Sequence, residues 1–187
     1  DVFAIWMQLL RQTEESVLWL LEDNQDAANN LQREARQHGV CPSRLIFAPR
    51  LDLPTHLARH RHADLFLDTF HYNAHTTASD ALWTGLPVLT LPGKTFASRV
   101  AASLLNALDF SELIAANPTD YAAKALHLAN SAADLQALRQ KLARNRSNHP
   151  LFDAPRLTRN IEHAYSCMWL RQQQGLPPAA LEIPDQS

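Results

Sequence analysis

The chain has 187 residues, a formal net charge of −2 and 46% hydrophobic residues. Near-balanced charge excludes a broad basic footprint for nucleic acid, and no apolar run reaches the length of a membrane span. Cys41 and Cys167 have neither metal nor redox spacing, and the first residues do not read as a signal peptide, so a reduced, cytoplasmic setting is expected.

The length suits one domain, alone or with an appendage. The first residue is Asp1 rather than methionine, and a helical face already runs through Phe3, Trp6, Met7 and Leu10. This predicts a piece of a larger protein, entered just before a helix. Ser16 to Leu21 reads as a buried strand. Ala27 to His38 reads as a helix with Leu31 and Ala35 inward, stopped by Gly39. Arg44 to Ala48 is the next strand. After a loop, Pro54 suits a first helical position, and the helix runs to about His62. Ala63 to Asp68 is a short apolar strand, Thr69 to Ala74 a loop, and Thr76 opens a helix that Gly85 stops. Pro87 to Leu91 is a strand and Phe96 to Leu108 a helix. Glu112 to Ala115 reads as a short strand or a helical turn. Pro118 to Ala129, Ala132 to Arg146 and Pro155 to Gln174 read as helices, followed by a Pro-rich tail. Trp19 and Trp83 read as packing residues.

Strands alternating with amphipathic helices predict an α/β fold, a Rossmann-like parallel sheet with helices on both faces. Ligands of such sheets bind outside the carboxyl ends of the strands. That rule selects the loops after Phe47, Asp68 and Leu91. With only four glycines, neither a GxGxxG fingerprint nor a Walker loop can occur. A nucleotide would have to be held by helix N-termini and side chains.

The stretch DLFLDTFHYNAHTTASDALWTG supplies such a helix start. Its unpaired N–H groups and positive dipole end suit an anion, phosphate above all. Thr76 and Thr77 add hydroxyl donors, and His75 can add another. Asp80 shares their face and suits a ligand hydroxyl such as a ribose. The competing reading is that Thr76 or Thr77 caps the helix and Asp80 favours its first turn. His56 and Arg59, three apart on the preceding helix, either meet a ligand or lie on a solvated surface. The histidines between His56 and His75 raise the thought of zinc, but they and Asp64, Asp68 and Asp80 form no known ligand spacing. No metal site is assigned. GxSxG is absent, so the serines carry no nucleophile elbow.

The run from RLIFAPRLDLPTHLARH through LDTFHYNAHTTASDALWTGLPVLTLPGKTFASRVAASLL resembles the C-terminal catalytic half of the O-linked N-acetylglucosamine transferases, as do SVLWLL before it and NHPLFD after it. The HTT element with its following aspartate, GLPVLTLPG and ASRVAAS carry the likeness. The abundance of Ala, Arg and Gln suggests a bacterial homologue. The resemblance implies a GT-B glycosyltransferase with two Rossmann-like domains facing a cleft and tetratricopeptide repeats in front. It implies inverting transfer of N-acetylglucosamine from UDP-N-acetylglucosamine to Ser or Thr hydroxyls of proteins, with no metal or other cofactor. By resemblance Thr76 and Thr77 hold the diphosphate, with His75 beside it stabilising the leaving group. Asp80 holds the ribose, His56 and Arg59 meet the uridine, and backbone at Leu51 reads the uracil.

The same resemblance implies that residues 1–150 form the UDP-sugar-binding domain, with its first strand missing, and residues 151–187 a C-terminal helix and tail. The other catalytic domain, the repeats and the catalytic base would then lie outside the chain. So would a family lysine near the leaving phosphate. Leu53 stands where some members carry a ribose-contacting lysine. The implied partners are the UDP-sugar, the rest of the enzyme and a protein or peptide acceptor, with no nucleic acid and no membrane. The alternatives are another GT-B enzyme on UDP-sugars, such as an epimerase, or a non-catalytic UDP-binding scaffold. GT-B proteins commonly send their last helix back across the other domain, which would leave Tyr165 and Trp169 exposed here; packing wholly on its own domain would bury them.

Overall fold

The computed structural model describes residues 2–184. Helix α1 (Val2–Gln12) leads into strand β1 (Leu18–Leu21), helix α2 (Gln25–Gln37) and strand β2 (Leu45–Ala48). Then come α3 (Leu53–Arg59), β3 (Phe66–Leu67), α4 (Thr76–Thr84) and β4 (Val88–Leu89). The last elements are α5 (Val100–Ala107), α6 (Pro118–Asn130), α7 (Ala132–Asn148) and α8 (Ala154–Gln173). Local chemistry sets most ends. Asn24, Asp52, Asn117, Ser131 and Asp153 each accept a first-turn amide and so cap α2, α3, α6, α7 and α8. Gly85 closes α4 at φ 90°, a left-handed angle that glycine adopts without a Cβ clash.

The strands pair in parallel, β1 with β2 and β3 with β4. Helices α2 and α4 are the crossovers of the two parallel pairs, as the alternation predicted. The sheet is in two pieces, since the pairs share no ladder among the described residues. β3 and β4 are shorter than the apolar runs that contain them, although Phe66 N–H and Asp68 N–H still donate to Pro87 and Leu89. The segment Glu112 to Ala115 is both things its sequence allowed. A 3-10 turn over Ser111–Leu113 leads to Ile114, which bridges Thr90 in parallel. The Phe96–Leu108 helix is likewise divided, with a 3-10 turn at Phe96–Ser98 before α5.

Helix α1 joins the pieces. Met7 and Leu10 pack with Ala35, Val40 and Leu45 beside the first pair, while Leu9 packs with Leu89, Tyr121 and Ala125 beside the second. Arg44 fastens its end by donating to the carbonyls of Leu10, Thr13 and Ser16. Leu10 lies in the last turn of α1, whose carbonyls lack helical partners, and the same guanidinium fork holds the turn that follows. The largest core gathers Ala78, Ala81 and Leu82 of α4 with Val88, Leu105, Phe110 and Leu142. Because that face of α4 is set by Ala78, Ala81 and Leu82, Trp83 turns away from it. Trp83 is half exposed rather than a core residue, edge-on to Phe152 and under the Arg146 guanidinium.

The final helix has no buried residue. Tyr165 and Trp169 are 65% and 64% exposed, so α8 does not bury its apolar face on this chain. No described helix is long and apolar enough to cross a membrane. Leu142→Ala, at a fully buried site, is expected to cost about 2–5 kcal/mol. Trp169→Ala should shift stability by no more than about 0.5 kcal/mol. Urea unfolding followed by far-ultraviolet circular dichroism separates the two.

Candidate functional site

The loops after β2, β3 and β4 lie on the carboxyl side of their strands, and each leads to a helix. The loop over residues 69–75 is held from behind by Asp68, a carboxylate only 1% exposed at the end of β3. Its Oδ1 accepts from the amides of Thr69 (2.8 Å) and Ala74 (2.7 Å), and its Oδ2 accepts from the Thr90 hydroxyl (2.6 Å). Burial pushes the Asp68 carboxyl above its ordinary value, while these donors and the nearby His75 pull it back. Its backbone carbonyl accepts from the Tyr121 hydroxyl (2.9 Å), and burial pushes that phenol up as well. Asn73, equally buried, donates its amide N–H to Ala97 O and its Nδ2 to Thr69 O, each at 2.8 Å. The loop after β3 is thereby tied to the loop after β4.

At the loop's end stands His75, the residue before α4. Its Nε2 lies 3.2 Å from Ala97 O. A carbonyl only accepts, so Nε2 carries the proton and Nδ1 of the neutral ring is an acceptor. His75 therefore offers an incoming group an acceptor at Nδ1, and a further donor only when protonated. The ring is stacked on Tyr72 (centroids 4.9 Å, interplanar 13°) and meets Phe96 edge-on at 6.0 Å.

Helix α4 has no side-chain cap. Thr76 and Thr77 are its first two residues and are exposed, so neither threonine caps it. The capping reading of this stretch is set aside. No side chain claims the first-turn amides, and Thr76 and Thr77 stand exposed at the dipole end. A cavity of ≈ 440 Å³, open to solvent, is lined by Asp68, Tyr72, Asn73, His75, Thr76 and Thr77 among others.

Asp80, one turn on, approaches α3. Burial lowers the His60 pKa, His56 and Arg59 lower it further, and Asp80 opposes them, which puts all four within electrostatic reach. The His56 and His60 rings meet edge-on at 4.8 Å. Arg59 is fixed by three contacts. It donates to Pro49 O (2.9 Å), lies 2.8 Å from His56 Nδ1 and sits over the Trp19 ring at 5.5 Å. Leu51 lies in the loop before α3, 43% exposed. The structure thus gathers His75, Thr76 and Thr77 at the start of α4, and groups His56, Arg59 and His60 at the end of α3, with Asp80 in electrostatic reach of His60. Leu51 is not among the residues lining that cavity. Among the described residues no group of three or more His, Cys, Asp or Glu is placed to hold a metal ion.

Sequence reading missed Asp68 and Asn73 as organisers of the loop. The available signal was a lone acidic residue ending an apolar strand run, a position where burial demands partners.

Residues 1–161 match the model for Glycosyl transferase family 41. The chain is 35% identical over 173 residues to a UDP-N-acetylglucosamine–peptide N-acetylglucosaminyltransferase of Caenorhabditis elegans, covering 92% of the chain and 15% of that protein. It is 34% identical over 184 residues to a probable enzyme of the same description, SEC, from Arabidopsis thaliana, covering 98% of the chain and 19% of that protein. The chain therefore spans less than a fifth of these relatives. Among solved structures, a lysine-to-methionine mutant of Thermobaculum terrenum O-GlcNAc transferase superposes with a TM-score of 0.85 at 29% identity, over 93% of this chain and 34% of that one. The fold is the α/β fold expected, that of the C-terminal part of a GT-B glycosyltransferase.

If Thr77 does not cap α4, Thr77→Ala is expected to leave stability within about 0.5 kcal/mol of wild type. Asn117→Ala, which removes the cap of α6, is expected to cost about 1 kcal/mol. Thermal unfolding of the two variants side by side checks this.

Proposed function

The chain belongs to glycosyl transferase family 41, and from that premise we propose that it is the donor-binding part of an inverting glycosyltransferase. The enzyme transfers N-acetylglucosamine from UDP-N-acetylglucosamine to Ser or Thr hydroxyls of proteins. One observation carries the reading: α4 opens uncapped with two exposed threonines, while its next turn brings Asp80 within electrostatic reach of His60, whose ring packs edge-on against His56. An anion and a neighbouring hydroxyl-bearing nucleoside fit that order of groups.

In this reading the diphosphate lies on the first-turn amides and hydroxyls of Thr76 and Thr77. Asp80 accepts from the ribose, His56 and Arg59 contact the uridine, and backbone at Leu51 reads the uracil. Departure of UDP concentrates negative charge on the diphosphate. Donors already aimed at it stabilise the transition state more than the ground state. His75, fixed through Nε2, stands beside the reacting centre and stabilises the leaving group when its Nδ1 is protonated. We assign no metal and no cofactor to the site.

Residues 1–150 are the UDP-sugar-binding unit and residues 151–187 a C-terminal helix and tail that serve a longer enzyme, residues 1 and 185–187 lying outside the described residues. The exposed apolar face of α8 supports that division. The names and lengths of the relatives support a protein or peptide acceptor and a larger whole. The tetratricopeptide repeats and the second catalytic domain belong to that whole, which works in the cytoplasm.

Asp80→Ala is expected to weaken UDP binding by about tenfold or more with the thermal transition unchanged, read by calorimetry on the full protein. Wild-type affinity in that variant overturns the ribose assignment. Thr77→Ala should lower kcat by about 10²-fold in peptide glycosylation. Free sugar released without a peptide acceptor would point to an epimerase-type enzyme, and UDP binding without turnover to a non-catalytic scaffold.

A further inference from the structure

A loop that presents a helix start to an anion must be stiff, yet the usual stiffener would spoil it. A capping side chain claims the very amides that the anion needs. Elsewhere in the chain exposed side chains do this, as Asp52 does for α3 and Asn117 for α6. At α4 the acceptor has moved. Asp68 lies at the other end of the loop, buried, and takes the amides of Thr69 and Ala74 instead of those of the helix. The Thr90 hydroxyl on its second oxygen and Tyr121 on its carbonyl lock it to β4 and α6. The Ala74 peptide, held on one side by this carboxylate, is followed directly by His75, Thr76 and Thr77.

We infer that Asp68 is the positioning residue of the donor site: by binding the Thr69 and Ala74 amides it fixes the backbone entering α4 and leaves the helix amides free for the diphosphate. This rests on the donor-site reading above. Asp68 contacts no substrate; it acts through the loop. Its negative charge, which would oppose a bound phosphate, is met by donors from three residues. A neutral acceptor in the same place should therefore do much of the same work. Asparagine keeps one oxygen for the two amides and turns its Nδ2 to Thr90 Oγ1, which can accept as well as donate. Alanine keeps none of this and strands two amides and a hydroxyl.

The test uses the full protein, UDP as the probe, and four forms: wild type, Asp68→Asn, Asp68→Ala and Leu142→Ala. The last is a destabilised control in the core of α7. All are measured well below their unfolding temperatures, by calorimetry and by amide hydrogen exchange. The expectation is that Asp68→Ala loses about tenfold or more in UDP affinity, Asp68→Asn stays within about threefold, and Leu142→Ala is unchanged. The Ala74 amide should lose protection in Asp68→Ala and keep it in Asp68→Asn. Wild-type UDP affinity in Asp68→Ala overturns the inference, as does a loss in Asp68→Asn equal to that in Asp68→Ala. If wild type binds no UDP, the donor-site reading fails, and the loop claim is judged on exchange alone: unchanged Ala74 protection in Asp68→Ala overturns it.

Discussion

A carboxylate removed from water must be fully met by donors, and the region around β3 is arranged to meet one. Asp68 is almost wholly buried and accepts from two amides and a hydroxyl. Each donor comes from a different place: the start of the loop, its end, and the strand next door. Satisfying the charge therefore fixes three pieces of backbone relative to one another. Tyr121 adds a fourth piece through the Asp68 carbonyl, and Trp6 of α1 in turn lies 3.5 Å from the Tyr121 hydroxyl. The helix that bridges the two strand pairs and the loop that shapes the site are thus held by one polar cluster.

Charge is distributed so that the buried Asp68 does not draw on the donors at the front of α4. Asp68 takes its amides behind the loop, while those at the front of α4 remain open. The second carboxylate, Asp80, sits a turn along the helix within electrostatic reach of His60 after α3. A ligand with a phosphate at one end and hydroxyls further on would meet a donor-rich surface and then an acceptor. His75 stands at the junction with its ring held on three sides, by Tyr72, Phe96 and Ala97.

The rest of the fold shows where this chain ends its own work. α8 carries Tyr165, Met168, Trp169 and Leu170 on exposed surface, far more apolar area than a helix in water needs. The chain accounts for 15% and 19% of the two relatives described above. A helix whose large apolar side chains stay this exposed on its own chain is what a part of a larger protein presents to the remainder.

Periodicity and composition by themselves determined the alternation of strands and helices, because buried faces at spacing two or near four leave a record in the residues. The turn at Gly85 and the inward face of Ala78, Ala81 and Leu82 both followed from that record. So did the candidate set from His56 to Asp80, with the family likeness giving each member its role. Tertiary structure decided what depends on partners distant in sequence. It showed that Thr76 and Thr77 are not caps, that the His75 proton sits on Nε2 because of Ala97, and that Trp83 lies outside the core. It also gave Asp68 its place, since the hydroxyls of Thr90 and Tyr121 meet it only once β4 and α6 have packed against β3. A single carboxylate in a sequence carries no sign of the donors that will surround it.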